Sequence, residues 1–147
     1  MKTETLPHKI QATGLDALPI FVVEDNPAYS FMLSSTLEQE FNFNILTFES
    51  GEACLLSLEK SRPLIIILDY NLKNMNGANV LHYIKRNYPE IYVIVLSSQP
   101  KIRTAVEIMK RGAFEYIEKS PTSFEELRNA IFRILIDLDV SDQKSLN

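Results

Sequence analysis

Five polar residues stand where short apolar runs end, and their types together could handle a phosphoryl group. Glu24 and Asp25 follow Ile20-Phe21-Val22-Val23, Asp69 follows the run from Leu64 to Leu68, and Ser97 follows Ile91 to Leu96. Lys119 comes just after the weaker run Glu115-Tyr116-Ile117. Three carboxylates gathered in one crevice repel: at an effective dielectric of about 20 and roughly 5 Å, each ionised pair costs about 3 kcal/mol. Such a cluster calls for a cation. One or two carboxylates, with the remaining positions left to water and a phosphate, suit Mg²⁺, a small, hard, octahedral ion. No His or Cys is placed to favour zinc. A metal beside Asp69 would neutralise an incoming phosphoryl group while Lys119 and the Ser97 hydroxyl hold its other oxygens. The chain has no glycine-rich loop ending in Gly-Lys-Ser or Gly-Lys-Thr to cradle a nucleotide, so the phosphoryl group is expected from another molecule.

The elements that must position these groups follow from the hydrophobic pattern. The four apolar runs read as buried strands, and Asn44-Ile45-Leu46-Thr47-Phe48, after the turn-prone Asn42, supplies a fifth, more amphipathic one. Helical patterns lie between them. The first opens with Asn26 as N-cap and Pro27 at the first helical position, and continues with Leu33, Leu37 and Phe41 at four-residue spacing. Similar segments follow Ser50 (Cys54, Leu55, Leu58), Gly77 (Val80, Leu81, Ile84) and Pro100 (Ile102, Val106, Met109). A capping box, Ser123-Phe124-Glu125-Glu126, starts the last helix, whose apolar stripe of Leu127, Ile131, Ile134, Leu135 and Leu138 predicts an end near Asp139. Strands that are continuously apolar and alternate with helices imply an α/β fold, a five-stranded, doubly wound parallel sheet with helices on both faces. In such sheets ligands bind beyond the carboxyl ends of the strands, which is where the five polar residues fall.

Composition sets the outer bounds. At 147 residues, 46% hydrophobic and 23% charged, the chain is expected to make one globular domain over residues 19–140, with polar tails at 1–18 and 141–147. The single cysteine, Cys54, excludes an internal disulfide framework, and its place on an apolar helix face reads as core. His8 and His82 are isolated, and Lys101, Arg103, Lys110 and Arg111 read as a solvated face of the fourth helix. The first 18 residues lack the pattern of a signal peptide and no stretch reaches membrane-spanning length, which makes the cytoplasm the expected location and a membrane an unsuited partner. A net charge of −4 gives no general attraction to nucleic acid.

At this point the residues resemble the receiver domain of two-component response regulators, from about Pro19 to Asp139. The resemblance implies a flavodoxin-like strand order of 2-1-3-4-5, and it implies roles. Asp25 would be a direct Mg²⁺ ligand, with Glu24 acting mainly through water. Asp69 would be the phospho-acceptor, itself at the metal, and Asn71 would give its backbone carbonyl to the ion. Gly77 would close the loop Asp69-Tyr70-Asn71-Leu72-Lys73-Asn74-Met75-Asn76-Gly77. Ser97 would be the switch hydroxyl, Tyr116 the aromatic switch residue, and Lys119 the phosphate-sensing lysine. Two positions depart from the family's pattern. Lys73 stands where proline is usual, four residues after the acceptor, and Ser120 separates Lys119 from Pro121 where a proline usually follows the lysine through a cis bond. A cis peptide without proline costs about 2.5–4 kcal/mol, so none is expected here.

The function so implied is a phosphorylation-controlled binding module. A histidine kinase or phosphotransfer protein would donate to Asp69, and an output protein, or a second copy through the fourth helix, fifth strand and fifth helix, would read the result. Two other readings compete: a receiver-like scaffold that signals without phosphorylation, and an aspartyl-nucleophile phosphatase of the haloacid dehalogenase type. The latter resembles Asp-x-Asp at its nucleophile, whereas this chain has Asp69-Tyr70-Asn71.

Overall fold

The computed structural model describes residues 19–145 except 42 and 100, with side chains described up to residue 138. Residues 1–18, including His8, lie outside it. The five apolar runs form strands β1 (Pro19–Val23), β2 (Asn44–Phe48), β3 (Ile65–Asp69), β4 (Tyr92–Ser97) and β5 (Glu115–Glu118). All pair in parallel, in the order β2-β1-β3-β4-β5. The connections are helices α1 (Pro27–Phe41), α2 (Gly51–Ser57), α3 (Gly77–Asn87), α4 (Ile102–Lys110) and α5 (Ser123–Ser145).

Because successive strand residues face opposite ways, the sheet splits the core in two. Ile20, Val22, Ile65, Ile67, Ile94 and Leu96 pack with α1 and α5, while Phe21, Val23, Ile66, Leu68, Val93 and Val95 pack with α2, α3 and α4. In α1 the four-residue spacing of Leu33, Leu37 and Phe41 buries all three, each worth about 1.5–3 kcal/mol in transfer from water. Cys54 is fully buried in the second half-core, as a small apolar residue would be.

Local capping chemistry sets the helix starts. Asn26 Oδ1 accepts from Tyr29 N at 3.0 Å, Ser50 Oγ from Ala53 N at 3.1 Å, and Asn76 Oδ1 from Asn79 N at 2.9 Å. Each satisfies one of the backbone donors that a helix leaves open in its first turn.

Three expectations need correction. Ser123 does not cap α5: it is already helical, and the first helical bond, from Glu126 N to Thr122 O, puts the cap position one residue earlier. The turn before it is organised by Ser120, whose Oγ accepts from Thr122 N at 3.3 Å. The end of α5 is also displaced, running to Ser145 instead of stopping near Asp139. The apolar stripe marks where the helix touches the core, and backbone hydrogen bonding continues past it. Finally, Ile102, Val106 and Met109 do not form the core face of α4. They are exposed, Ile102 to 86%, and the helix turns Ile108 inward instead.

Candidate functional site

Register brings the run ends level. Val23 pairs with Leu68 and Leu68 with Val95, so the next residues along, Glu24 and Asp69, emerge side by side at the carboxyl edge. Ser97 closes β4 opposite Glu118, one residue before Lys119. Backbone bonds fix the loop stems: Glu24 N donates to Phe48 O at 3.0 Å, Tyr70 N to Leu96 O at 2.8 Å, and Lys119 N to Ser97 O at 2.8 Å.

The side chains then meet. Glu24, Asp25 and Asp69 each present an oxygen within 4.8 Å of the others, and Glu24 and Asp69 are buried. Lys119 Nζ donates to Glu24 Oε2 at 2.8 Å and lies 3.4 Å from Asp69 Oδ1. Three carboxylates faced by one ammonium leave a deficit of positive charge, and Asp25 Oδ2 is enclosed without a hydrogen-bond partner. An all-oxygen cluster with an orphaned carboxylate oxygen is a fitting cradle for a hard divalent cation.

The titration balance agrees with that picture. Burial pushes the Glu24 carboxyl up, and the Asp69 charge adds to it, against the opposing hydrogen bond and charge of Lys119. Burial works against the Lys119 ammonium too. There the hydrogen bond to Glu24 and the charges of Asp69 and Glu24 outweigh it, and the lysine is held protonated above its ordinary range.

Asn71 meets the same Asp69 oxygen that Lys119 approaches, and Ser97 meets Asn71. Asn71 N donates to Asp69 Oδ1 at 3.1 Å, which turns the loop back over the carboxylate. Its own Oδ1 accepts from Ser97 Oγ at 3.5 Å and from Ser98 Oγ at 3.4 Å, while Ser97 Oγ accepts from Gln99 N at 3.3 Å. The Ser97 hydroxyl therefore links the β3–α3 loop to the β4–α4 loop. Gly77 closes the same loop: a Cβ there would stand 2.6 Å from Tyr70 Cα and 2.7 Å from Asp69 O, so only glycine lets α3 begin against the strand end.

The Tyr116 ring meets Tyr70 edge-on at 6.4 Å, and its hydroxyl is buried without a hydrogen-bond partner. Lys119 and Ser120 are joined without a cis bond, and no peptide bond among the described residues is cis. One contact escaped the sequence reading. Lys119 Nζ sits 4.3 Å above the centre of the Tyr29 ring, on the first turn of α1. Tyr29 looks in sequence like any aromatic on an amphipathic helix; its place three residues after the N-cap is the only hint that it reaches the sheet edge.

A parallel sheet ordered 2-1-3-4-5, with acids after β1 and β3, a hydroxyl after β4 and a lysine after β5, defines a class of signalling module. The model of the response regulator receiver domain matches residues 20–132, and the chain belongs to that family. Receivers are phospho-accepting signalling modules that bind Mg²⁺ and interact with histidine kinases or phosphotransfer proteins. The nitrogen assimilation regulatory protein NtrX of Azorhizobium caulinodans is 35% identical over 102 residues, covering 68% of this chain and 22% of that protein. A probable transcriptional regulatory protein, TcrX of Mycobacterium tuberculosis, is 30% identical over 108 residues, 74% of this chain and 45% of its own length. The chain thus spans less than half the length of either relative. Among solved structures, the NtrX receiver domain from Brucella abortus superposes with a TM-score of 0.72 at 29% identity, covering 79% of this chain and 97% of that one. A CheY-like receiver from Methanospirillum hungatei shares the fold at 21% identity, with a TM-score of 0.77 over 85% of this chain and 98% of that one. No helix among the described residues is long and apolar enough to cross a membrane.

Proposed function

We propose that residues 19–140 act as a phosphorylation-controlled switch in which Asp69 accepts the phosphoryl group, Lys119 and Ser97 hold its oxygens, and Glu24, Asp25, Asp69 and Asn71 hold Mg²⁺. The observation that carries this reading is the cluster of three carboxylates, Glu24, Asp25 and Asp69, two of which, Glu24 and Asp69, also meet the Lys119 ammonium. Mg²⁺, when bound, supplies positive charge against the phosphoryl oxygens and orients them.

The chain's own residues do the rest. An Asp69 carboxylate oxygen attacks phosphorus, a P–O bond forms as the donor's P–N bond breaks, and the electron pair of that bond leaves with the donor imidazole. Lys119, already protonated, moves its ammonium from carboxylate to phosphoryl oxygen, and no proton has to be transferred from it. Ser97 exchanges its 3.5 Å contact with Asn71 for a shorter, charge-assisted bond to the phosphoryl group, which draws the β4–α4 loop inward. Tyr116 is the second element of the switch. Any catalysis is of the chain's own phosphorylation and dephosphorylation.

The donor in this proposal is a histidine kinase or phosphotransfer protein in the cytoplasm. The output is a protein partner or a second copy meeting the α4–β5–α5 face, and the exposed Ile102, Val106 and Met109 of α4 favour an apolar contact there. Asn71 in place of a second acid argues against the phosphatase reading.

The test is incubation with a small phosphodonor and Mg²⁺, followed by intact mass. One metal-dependent phosphoryl adduct is expected on the unmutated chain and none on Asp69→Asn. Absence of an adduct on the folded, Mg²⁺-saturated chain would leave a phosphorylation-independent scaffold as the better reading.

A further inference from the structure

We propose that Tyr29 is a positioning residue for Lys119, its ring serving as the platform that keeps the ammonium over the carboxylate cluster. This rests on the reading of Lys119 as the group that meets the phosphoryl oxygens.

A lysine side chain is a flexible four-carbon stem carrying about 2 kcal/mol of rotamer entropy, so something must hold its head where it is needed. The backbone fixes only the root, through Lys119 N to Ser97 O at 2.8 Å. In this chain the next residue is Ser120 and the bond to it is not cis, so the stem is not directed by a following cis-proline. Three groups surround the head: Glu24 at 2.8 Å, Asp69 at 3.4 Å, and the face of Tyr29 at 4.3 Å.

These partners differ in what happens when ligands arrive. Glu24 is drawn toward a divalent cation, while Asp69 shares in the metal and takes the phosphoryl group, so each loosens its hold on the lysine as it takes up that role. A phenol face offers a hard cation no ligand atom. The ring is therefore the partner that Lys119 keeps throughout. Its attraction gains from the setting, because the Lys119 side chain is only 16% exposed and a cation over an aromatic face gains strength as water is removed.

Tyr29 is itself well anchored. Its N–H is bonded to the Asn26 cap at 3.0 Å, and its ring packs beside the half-core shared by α1 and α5. It also borders an apolar cavity of about 200 Å³ with Met32, Leu33, Phe124 and Leu127. The ring is thus held from the side of the α1–α5 half-core and turns its face to Lys119.

The experiment compares the unmutated chain with Tyr29→Leu, which removes the ring, and Tyr29→Phe, which keeps it. Two quantities are read: the rate at which an amine-acylating reagent labels Lys119 in metal-free protein, located by peptide mass, and half-saturation by Mg²⁺ alone and by beryllofluoride with Mg²⁺. In Tyr29→Leu the labelling rate and the beryllofluoride concentration needed should each rise about three- to tenfold. Tyr29→Phe should stay within about twofold. Mg²⁺ half-saturation should not rise in either, since Lys119 opposes the metal and does not bind it.

Unchanged labelling in Tyr29→Leu overturns the proposal, as does a phenylalanine variant that behaves like leucine. So does weakening of Mg²⁺ and beryllofluoride binding in step, which would mean that the whole site has collapsed. Faster labelling in Tyr29→Leu alone, in a chain whose unmutated form takes up no beryllofluoride, supports the ring contact and overturns the phosphoryl-site reading instead.

Discussion

The orphaned oxygen of Asp25 makes the acid cluster a source of instability in the absence of metal. Neutralising it with Asp25→Asn keeps the shape and removes repulsion against Glu24 and Asp69. In metal-free buffer the variant should therefore be more stable, by about 1–2 kcal/mol after screening by Lys119 and water. It should also lose the stabilisation that added Mg²⁺ confers on the unmutated chain. Urea unfolding with chelator and with Mg²⁺ checks both halves, and a variant still stabilised by Mg²⁺ would contradict the ligand assignment. Tyr116 gives a second case of a buried polar group without a partner. Tyr116→Phe removes only the hydroxyl and should cost nothing or stabilise by about 1 kcal/mol, because the desolvation penalty of an unpaired group disappears with it. Cys54 tests burial alone. Its thiol is pushed up to about 12 by desolvation, so in the folded chain near pH 8 it should resist alkylation that proceeds readily in denaturant.

Loops and helix starts carry the next set of consequences. Gly77→Ala would drive a methyl group into the backbone of Asp69 and Tyr70, and neither can yield without moving the strand end. It should destabilise by about 1–3 kcal/mol and slow adduct formation at Asp69. Gly112 provides the control at the opposite sheet edge. It adopts φ +105° in the α4–β5 turn, and alanine there should cost about 1–2 kcal/mol of stability while leaving adduct formation unchanged. Denaturant midpoints and adduct rates, measured on both variants, separate the two effects. Legibility differs at this scale. The cap at Asn26 was readable from the Asn-Pro pair ahead of a helical pattern, whereas Ser50 and Asn76 were not singled out as caps, and the strand ends that carry the acids were readable because apolar runs stop abruptly there. Two further features were not. The outward turn of Ile102, Val106 and Met109 depends on how α4 rotates against the sheet, which spacing alone does not set, since Ile108 is equally apolar. The Tyr29 contact joins residues 90 positions apart, and no local pattern records such a meeting.

The sheet as a whole was legible for a physical reason: its central strands are dry on both faces, so their sequences could be nothing but apolar. The joining of sheet to helix has a pH signature. Tyr92, at the start of β4, donates from its hydroxyl to Asp137 Oδ2 on α5 at 2.7 Å, and burial, then the bond to and charge of Asp137, push its phenol up to about 12. An unfolded tyrosine ionises near pH 10, at about the reference value. Between about pH 10 and 12 the unfolded chain releases this proton first, so that contribution to stability is whole below pH 10 and is lost as pH rises. Urea midpoints of the unmutated chain should fall more steeply over that window than those of Tyr92→Phe. The helix that receives this bond has a mechanical meaning as well. At 23 residues α5 is about 34 Å long, and its last turns run past the apolar stripe that seats it. A rigid rod gripped along one part of its length carries any rocking of that part outward: a tilt of about 10° would sweep the residues beyond Leu138, about 10 Å of helix, through about 2 Å. Small rearrangements around Lys119 and Ser120, just ahead of the pivot, would thus emerge as displacements large enough to make or break a contact with another molecule.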